Sequence, residues 1–320
     1  MNGQRMSDQT MKPGVLLVSR LPDALVGRLR ERFDCHFGGD LDDAGFAALA
    51  PRLRGMVATG ESVVARELMA RLPALEVISV LGVGYDGIDM AAARERKVVV
   101  AHTPGLSTDD IADFAIALLL AAARQVVNAD RFVRSGGWST GRFPMTRRVS
   151  GARLGIVGLG RIGRAVATRA QAFGMDIAYT GRAPKADVPY LWCADARTLA
   201  ARVDYLVVCA SGGAATRALI DGAVLAALGP SGVLVNVARG SIVDEDALVE
   251  ALRERRILAA GLDVFCHEPY VAQGLLALDN VVLTPHMAST TDATVQAMLE
   301  LAFDNLAAHF DGLRVPAPVM

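Results

Sequence analysis

Leu154-Gly155-Ile156-Val157 runs directly into Gly158-Leu159-Gly160-Arg161-Ile162-Gly163, and this stretch decides how the chain is read. Four residues of β-strand character meet three glycines at the spacing G-x-G-x-x-G. Ala165, Val166, Ala170 and Phe173 then follow at the intervals of a helix. The chemistry needs all three glycines. One permits the tight turn, one lets the backbone reach a pyrophosphate, and one lets the helix approach the strand. The helix N-terminus adds unpaired N–H groups and the positive end of its dipole. Flanked by strand and helix in this way, the motif predicts dinucleotide binding rather than a glycine turn kept for folding alone.

Outward from the loop, short runs of Val, Ile and Leu alternate with helix-like stretches. Predicted strands lie at 15–19, 55–58, 77–80 and 98–101, then at 154–157, 176–179, 205–209, 233–236, 259–264 and 281–283. These are continuous apolar runs, as parallel strands covered on both faces require. The pattern predicts an α/β fold of doubly wound parallel sheets. Ten strands exceed one comfortable sheet, so two sheets are expected. The 320 residues likewise point to two domains at roughly 150 residues each. A break falls near Ala101-His102-Thr103-Pro104-Gly105, and Ser107-Thr108-Asp109-Asp110 then has the form of a helix N-terminus. The helix it opens is apolar at nearly every position from Ile111 to Ala122, so it is expected to be covered on almost all sides. The last helix, from about 290 to 310, is expected to pack back on the first domain.

Composition narrows the functions. Lys plus Arg is 33 and Asp plus Glu is 34, which leaves no general attraction to nucleic acid or anionic lipid. A 52% hydrophobic content supports packed cores. The residues up to Pro13 are polar and show no signal peptide, and the run 111–123 is too short to span a bilayer. A cytoplasmic protein without membrane or nucleic-acid partners is expected. Four scattered cysteines (Cys35, Cys193, Cys209, Cys266) form neither a disulfide framework nor a metal motif and are read as reduced, mostly buried thiols. Cys266-His267-Glu268 cannot readily converge three neighbouring side chains on one ion, so no metal is expected.

The strand at 176–179 bears on which dinucleotide is bound. An NAD site usually places Asp or Glu at its end. Here Thr180-Gly181-Arg182 follows, with Lys185 beyond, and a hydroxyl and two cations suit a 2′-phosphate. NADP is the preferred cofactor, with NAD as the alternative.

Gly158–Gly163, Asn236-Val237-Ala238-Arg239-Gly240, Gly261-Leu262-Asp263-Val264-Phe265, Glu268-Pro269 and Thr284-Pro285-His286 occur in this order. So arranged, and with Leu81-Gly82-Val83-Gly84-Tyr85-Asp86 upstream, the chain resembles the D-isomer-specific 2-hydroxyacid dehydrogenases over essentially its whole length. Thr180-Gly181-Arg182, Ala227-Leu228-Gly229-Pro230 and Arg134-Ser135-Gly136-Gly137-Trp138 look most like the glyoxylate/hydroxypyruvate reductase branch. The resemblance implies two Rossmann-like domains with a cleft between them. Residues 1–101 with 289–320 would form the substrate domain and 102–288 the dinucleotide domain. It further implies hinge closure, a homodimer, and a small 2-oxo or 2-hydroxy acid as substrate.

Reducing a 2-oxo acid needs a hydride donor, a proton donor for the carbonyl oxygen and a cation for the carboxylate. His286, at a strand end after a proline, suits proton exchange near neutrality. Arg239, before a glycine, offers a planar fork to a carboxylate. By resemblance Glu268 pairs with His286 and keeps it protonated, while Val83 and Gly84 offer backbone N–H groups to the carboxylate. Also carried over by position are cofactor contacts at Thr108, Gly158, Leu159, Gly160, Arg161, Ile162, Gly163, Thr180, Gly181, Arg182, Cys209, Ala210, Thr216, Val237, Ala238 and Asp263. Arg239 and His286 adjoin the same cofactor. Where the family often has Pro-Leu-Thr-Pro, this chain has Ala210-Ser211-Gly212-Gly213, so a more flexible loop is expected there. Leu81, Tyr85, Arg142, Phe143 and Met287 are candidates to shape the substrate pocket. Glyoxylate, hydroxypyruvate, an aromatic oxo acid and a sugar-derived oxo acid all stay open as substrates. A catalytically idle dinucleotide sensor on the same scaffold is the rival from another class.

Overall fold

The computed structural model describes residues 12–319, so most of the polar N-terminal stretch lies outside the described residues. Two compact units divide the chain, one of residues 12–106 with 292–319, the other of residues 107–291.

The first unit is built on five parallel strands: β1 (Gly14–Leu17), β2 (Asp34–Phe37), β3 (Leu53–Thr59), β4 (Val77–Leu81) and β5 (Val99–Ala101). Their order is β2-β1-β3-β4-β5, which reverses direction between β1 and β3. Leu16, Met56, Ile78 and Val100 pack one face against the short helices of this unit. Val15, Leu17, Val57 and Val77 pack the other against the helices Asp23–Arg32 and Asp292–Phe310. The last helix therefore belongs with the N-terminal strands. Gly55 is the point where it sits closest, since a Cβ there would stand 3.2 Å from both Leu306 and Phe310.

Seven parallel strands form the second unit: β6 (Arg153–Val157), β7 (Asp176–Thr180), β8 (Leu191–Cys193), β9 (Tyr205–Val208), β10 (Val233–Asn236), β11 (Ala259–Leu262) and β12 (Val281–Leu283). They lie in the order β12-β11-β10-β9-β6-β7-β8. The reversal falls between β6 and β9, and a sheet of this kind binds its ligand outside the carboxyl ends of the strands at that point. Helix Thr108–Ala123 covers one face, with Ala115, Leu118, Leu119 and Ala122 in a core shared with Ile156, Val207 and Val235. Only Asp109, Asp113 and Ala117 on it are fully exposed, a single stripe at four-residue intervals. Arg169 of helix Arg161–Ala172 pairs with both of those aspartates, at 3.1 Å and 2.5 Å. Ser107 stands at the helix N-cap as expected but does not cap it; its hydroxyl is buried without a hydrogen-bond partner.

Twelve strands thus stand among the described residues where ten are legible. The two unforeseen ones, β2 and β8, are the outer strands of their sheets. An edge strand is half exposed and needs no continuous apolar run, and Asp34-Cys35-His36-Phe37 has none. The strands expected to reach Cys209 and Val264 end at Val208 and Leu262, where the chain turns into the site loops.

Cys193 is buried, but Cys35, Cys209 and Cys266 are only partly so, a correction to the expectation of mostly buried thiols. All four are unpaired. Burial nevertheless pushes the Cys209 thiol up to about 12 and those of Cys35 and Cys266 up to about 11. Thiols held protonated in this way are poor nucleophiles.

Candidate active site

At the carboxyl end of β6 the glycine loop has the geometry its spacing demands. Gly158 adopts φ +94, and a Cβ on it would lie 2.7 Å from the backbone of Ala210, at the end of β9. A Cβ on Gly163 would stand 2.2 Å from the Gly158 carbonyl oxygen, so helix Arg161–Ala172 can approach β6 only without one. Gly160 differs: nothing lies within 4 Å of where its Cβ would be. Open space over a helix N-terminus is a cradle for a pyrophosphate, and these residues fit a dinucleotide. Leu159 is buried at 3% exposure, and Ile162, partly buried, packs on the same core. Arg161 is exposed.

Beyond β7, Thr180 is only 5% exposed. Its hydroxyl, expected to face a phosphate, belongs to a buried strand end, and the groups presented outward are Gly181, Arg182 and Lys185. The loop after Cys209 and Ala210 is held by hydrogen bonds within itself. Thr216 closes it, donating its hydroxyl to the Ser211 carbonyl at 2.7 Å and its N–H to Gly213 at 3.1 Å. Thr216 therefore braces that loop. Thr108 opens its helix, half-buried.

Three further loops, at the carboxyl ends of β10, β11 and β12, carry the ionisable residues. Asn236 ends β10 with 1% exposure; its amide donates to the Arg239 carbonyl at 2.9 Å and accepts from the Ala238 N–H at 3.0 Å. These two bonds close the turn through Val237 and Ala238 that delivers Arg239. Gly240 then packs against the neighbouring loop, since a Cβ there would fall 1.9 Å from the Phe265 carbonyl carbon. The Arg239 loop is thereby seated on the loop that carries Glu268.

Glu268 Oε1 accepts from the Phe265 N–H at 2.8 Å, and Oε2 lies 2.7 Å from His286 Nδ1. The Glu268–Pro269 peptide is cis. Burial works against charge on Glu268. The hydrogen bonds from His286 and Phe265, with the charge on Arg239, outweigh it and hold the carboxyl below the usual range.

His286 adopts φ +50, in the left-handed region. A non-glycine residue persists there only where its surroundings impose it. Asp263 imposes it: it is fully buried, and its backbone carbonyl accepts from the His286 N–H at 2.8 Å. Its carboxylate accepts from the Thr284 hydroxyl at 2.6 Å, the Met287 N–H at 2.9 Å and the Ala288 N–H at 2.8 Å. Asp263 was expected beside the nicotinamide. It has no exposed surface, and its hydrogen bonds make it the seat of the 284–288 loop. Neither this seat nor the Asn236 clamp is legible in the sequence, although both residues stand in motifs that are.

Val83 and Gly84 lie in the other unit, on the loop beyond β4. Gly82 enters it at φ +137, its N–H bonded to Thr103 Oγ1 at 2.9 Å, and the Val83 carbonyl meets His102 Nδ1 at 2.9 Å.

The family model described as "D-isomer specific 2-hydroxyacid dehydrogenase, NAD binding domain" matches residues 116–288. A 2-ketogluconate reductase of Gluconobacter oxydans is 42% identical over 309 residues, 97% of this chain and 99% of its own. The chain belongs to the D-isomer specific 2-hydroxyacid dehydrogenase family. A glyoxylate/hydroxypyruvate reductase of Arabidopsis thaliana is 44% identical over 84% of this chain and 86% of its own. The NADPH-dependent glyoxylate/hydroxypyruvate reductase of Sinorhizobium meliloti, solved with NADP and malonate, superposes with a TM-score of 0.89. That structure is 39% identical and covers 96% of this chain and 97% of its own. Members of this dehydrogenase family so similar to the chain carry names with different 2-oxo acids, so overall identity does not choose the substrate.

Among the described residues no helix is long and apolar enough to cross a membrane.

Proposed function

We propose that this chain reduces a small 2-oxo acid, glyoxylate or hydroxypyruvate, to the D-2-hydroxy acid with NADPH. The observation that carries the reading is the 2.7 Å contact between His286 Nδ1 and Glu268 Oε2, on a loop seated against that of Arg239. An ionised carboxylate at that distance favours the protonated imidazole and orients Nε2 as the nitrogen that passes the proton.

A dinucleotide held with its pyrophosphate at the Gly158–Gly163 loop would supply, from its reduced nicotinamide, a hydride to C2 of the oxo acid. Arg239 holds the carboxylate with its planar fork and draws charge towards the carbonyl oxygen. His286 Nε2–H gives that oxygen its proton, leaving a neutral imidazole that solvent recharges. Glu268 stays ionised throughout and steadies the imidazolium. Val83 and Gly84 keep their family role as N–H donors to a carboxylate, with their unit as the substrate domain.

NADPH over NADH is supported by Arg182 and Lys185 beyond β7 and by the lack of an acidic residue at Thr180. The Sinorhizobium relative's name points the same way. A cytoplasmic homodimer completes the reading. Val126, Val133, Trp138 and Met145, exposed within twenty residues of one another, support the homodimer.

The test is NADPH and NADH oxidation against glyoxylate, hydroxypyruvate, an aromatic oxo acid and 2-ketogluconate, compared by kcat/KM. The two small acids with NADPH are expected to lead. A purified chain that binds NADPH yet oxidises it with none of these acids would instead be the dinucleotide sensor.

A further inference from the structure

Residues 181–187 after β7 are exposed along their whole length, yet three side chains from neighbouring elements hold them. The Tyr179 hydroxyl accepts a hydrogen bond from the Lys185 backbone N–H at 2.6 Å. Trp192, opposite Tyr179 in the β7–β8 register, donates its indole N–H to the Gly181 carbonyl at 3.4 Å. Arg164 reaches out from helix Arg161–Ala172 to Asp187 at 2.9 Å.

Tyr179 is the informative member. Its ring is 1% exposed, in the core with Ile156 and Tyr205, where phenylalanine would fill almost the same volume. Core packing therefore explains the ring but not the hydroxyl, whose partner is the backbone of an outer loop. A polar loop containing Gly181 and Pro184 has many conformations, and a ligand that orders it bears that entropic cost. Fixing the loop beforehand removes part of the cost. What the fixed loop presents is a pair of exposed cations, Arg182 and Lys185; the nearby acid that feels the charge on Lys185, Asp187, is itself bridged to Arg164.

We propose that Tyr179 is a specificity-determining positioning residue, whose buried hydroxyl fixes the backbone at Lys185 so that Arg182 and Lys185 stand ready for the 2′-phosphate of an NADP-type dinucleotide. Trp192 fixes the other end of the same loop. The inference rests on the NADPH reading above and adds a residue that does not itself touch the phosphate.

The experiment is calorimetric binding of 2′,5′-ADP and 5′-AMP, adenosine fragments with and without the 2′-phosphate, to the full chain and to Tyr179→Phe, Trp192→Phe and Arg182→Ala. Losing one net hydrogen bond in Tyr179→Phe is expected to weaken 2′,5′-ADP about three- to tenfold. Binding of 5′-AMP stays unchanged, and the Lys185 amide exchanges faster with solvent. Trp192→Phe shifts the same ratio in the same direction and carries the test if Tyr179→Phe fails to fold. Equal weakening of both fragments, or no change in either, overturns the inference, because a merely structural hydroxyl would not act on the phosphate-bearing fragment alone. If Arg182→Ala abolishes the preference while Tyr179→Phe leaves it intact, only the role of Tyr179 falls. A wild-type chain that does not prefer 2′,5′-ADP overturns the NADPH reading and the inference with it.

Discussion

His286 Nδ1 and Glu268 Oε2 are 2.7 Å apart, although the residues lie on loops after different strands and are separated by eighteen positions. The pair is half-buried, with side-chain exposures of 26% and 21%, so the carboxylate acts on the imidazole with little intervening water. Removing either partner tests the pair from a different side.

His286→Ala is expected to abolish oxo-acid reduction while NADPH affinity, read by nucleotide fluorescence, stays nearly unchanged. Glu268→Gln keeps the shape but not the charge. Reduction should fall by about two orders of magnitude, at the lower end of the range typical of acid–base groups. The basic limb of its kcat/KM profile should also move to lower pH, because the imidazolium has lost its counter-charge. Turnover near the wild-type level in His286→Ala would refute the assigned role.

Two glycine substitutions should separate folding from binding. Gly240→Ala drives a Cβ to within 1.9 Å of backbone that cannot yield. A loss of more than about 3 kcal/mol is expected in urea denaturation. Gly160→Ala meets nothing within 4 Å, so its stability should change by less than about 0.5 kcal/mol. Its NADPH dissociation constant should nonetheless rise, since the new methyl occupies the pyrophosphate's approach.

Asp263→Ala leaves the Thr284 hydroxyl and the Met287 and Ala288 N–H groups without their acceptor. A loss of roughly 1–3 kcal/mol is expected per buried group left unsatisfied. With the seat of His286 gone, kcat should drop more than NADPH affinity does. Calorimetric unfolding and single-turnover rates together check both parts.

Asp204 joins β6 and β9 at their amino ends, pairing with Arg153 at 2.9 Å and Arg147 at 2.8 Å. The Arg153 hydrogen bond leads in holding its carboxyl below the ordinary 3.8, against the opposing effect of burial. A depressed folded value means stability that is present above the unfolded value and lost as pH falls through the folded one. Asp204→Asn should therefore lower Tm at pH 7, and the gap to wild type should close below about pH 3.8 in thermal scans.

Legibility in the sequence followed burial and locality. β6, β9 and β10 announce themselves because strands covered on both faces need uninterrupted apolar residues. β2, Asp34-Cys35-His36-Phe37, and β8, only Leu191-Trp192-Cys193, stay silent because an edge strand can do without a long apolar run, although the opposite edges β5 and β12 keep theirs. Arg239, Glu268 and His286 stand out because their motifs are short and contiguous. The 5% exposure of Thr180 was not legible in the same way, because it depends on packing by residues distant in sequence.

From its residues alone, this chain is committed to parallel strands alternating with helices, a glycine loop for a dinucleotide, and the chemistry of His, Glu and Arg on strand-end loops. Those features are encoded within a few neighbouring positions. Tertiary structure decided that Glu268 meets His286, that Asp263 holds the histidine loop, and that Tyr179 and Trp192 grip the loop bearing Arg182. Such partnerships depend on the register and order of strands far apart along the chain, where a shift of one residue would turn every side chain to the opposite face.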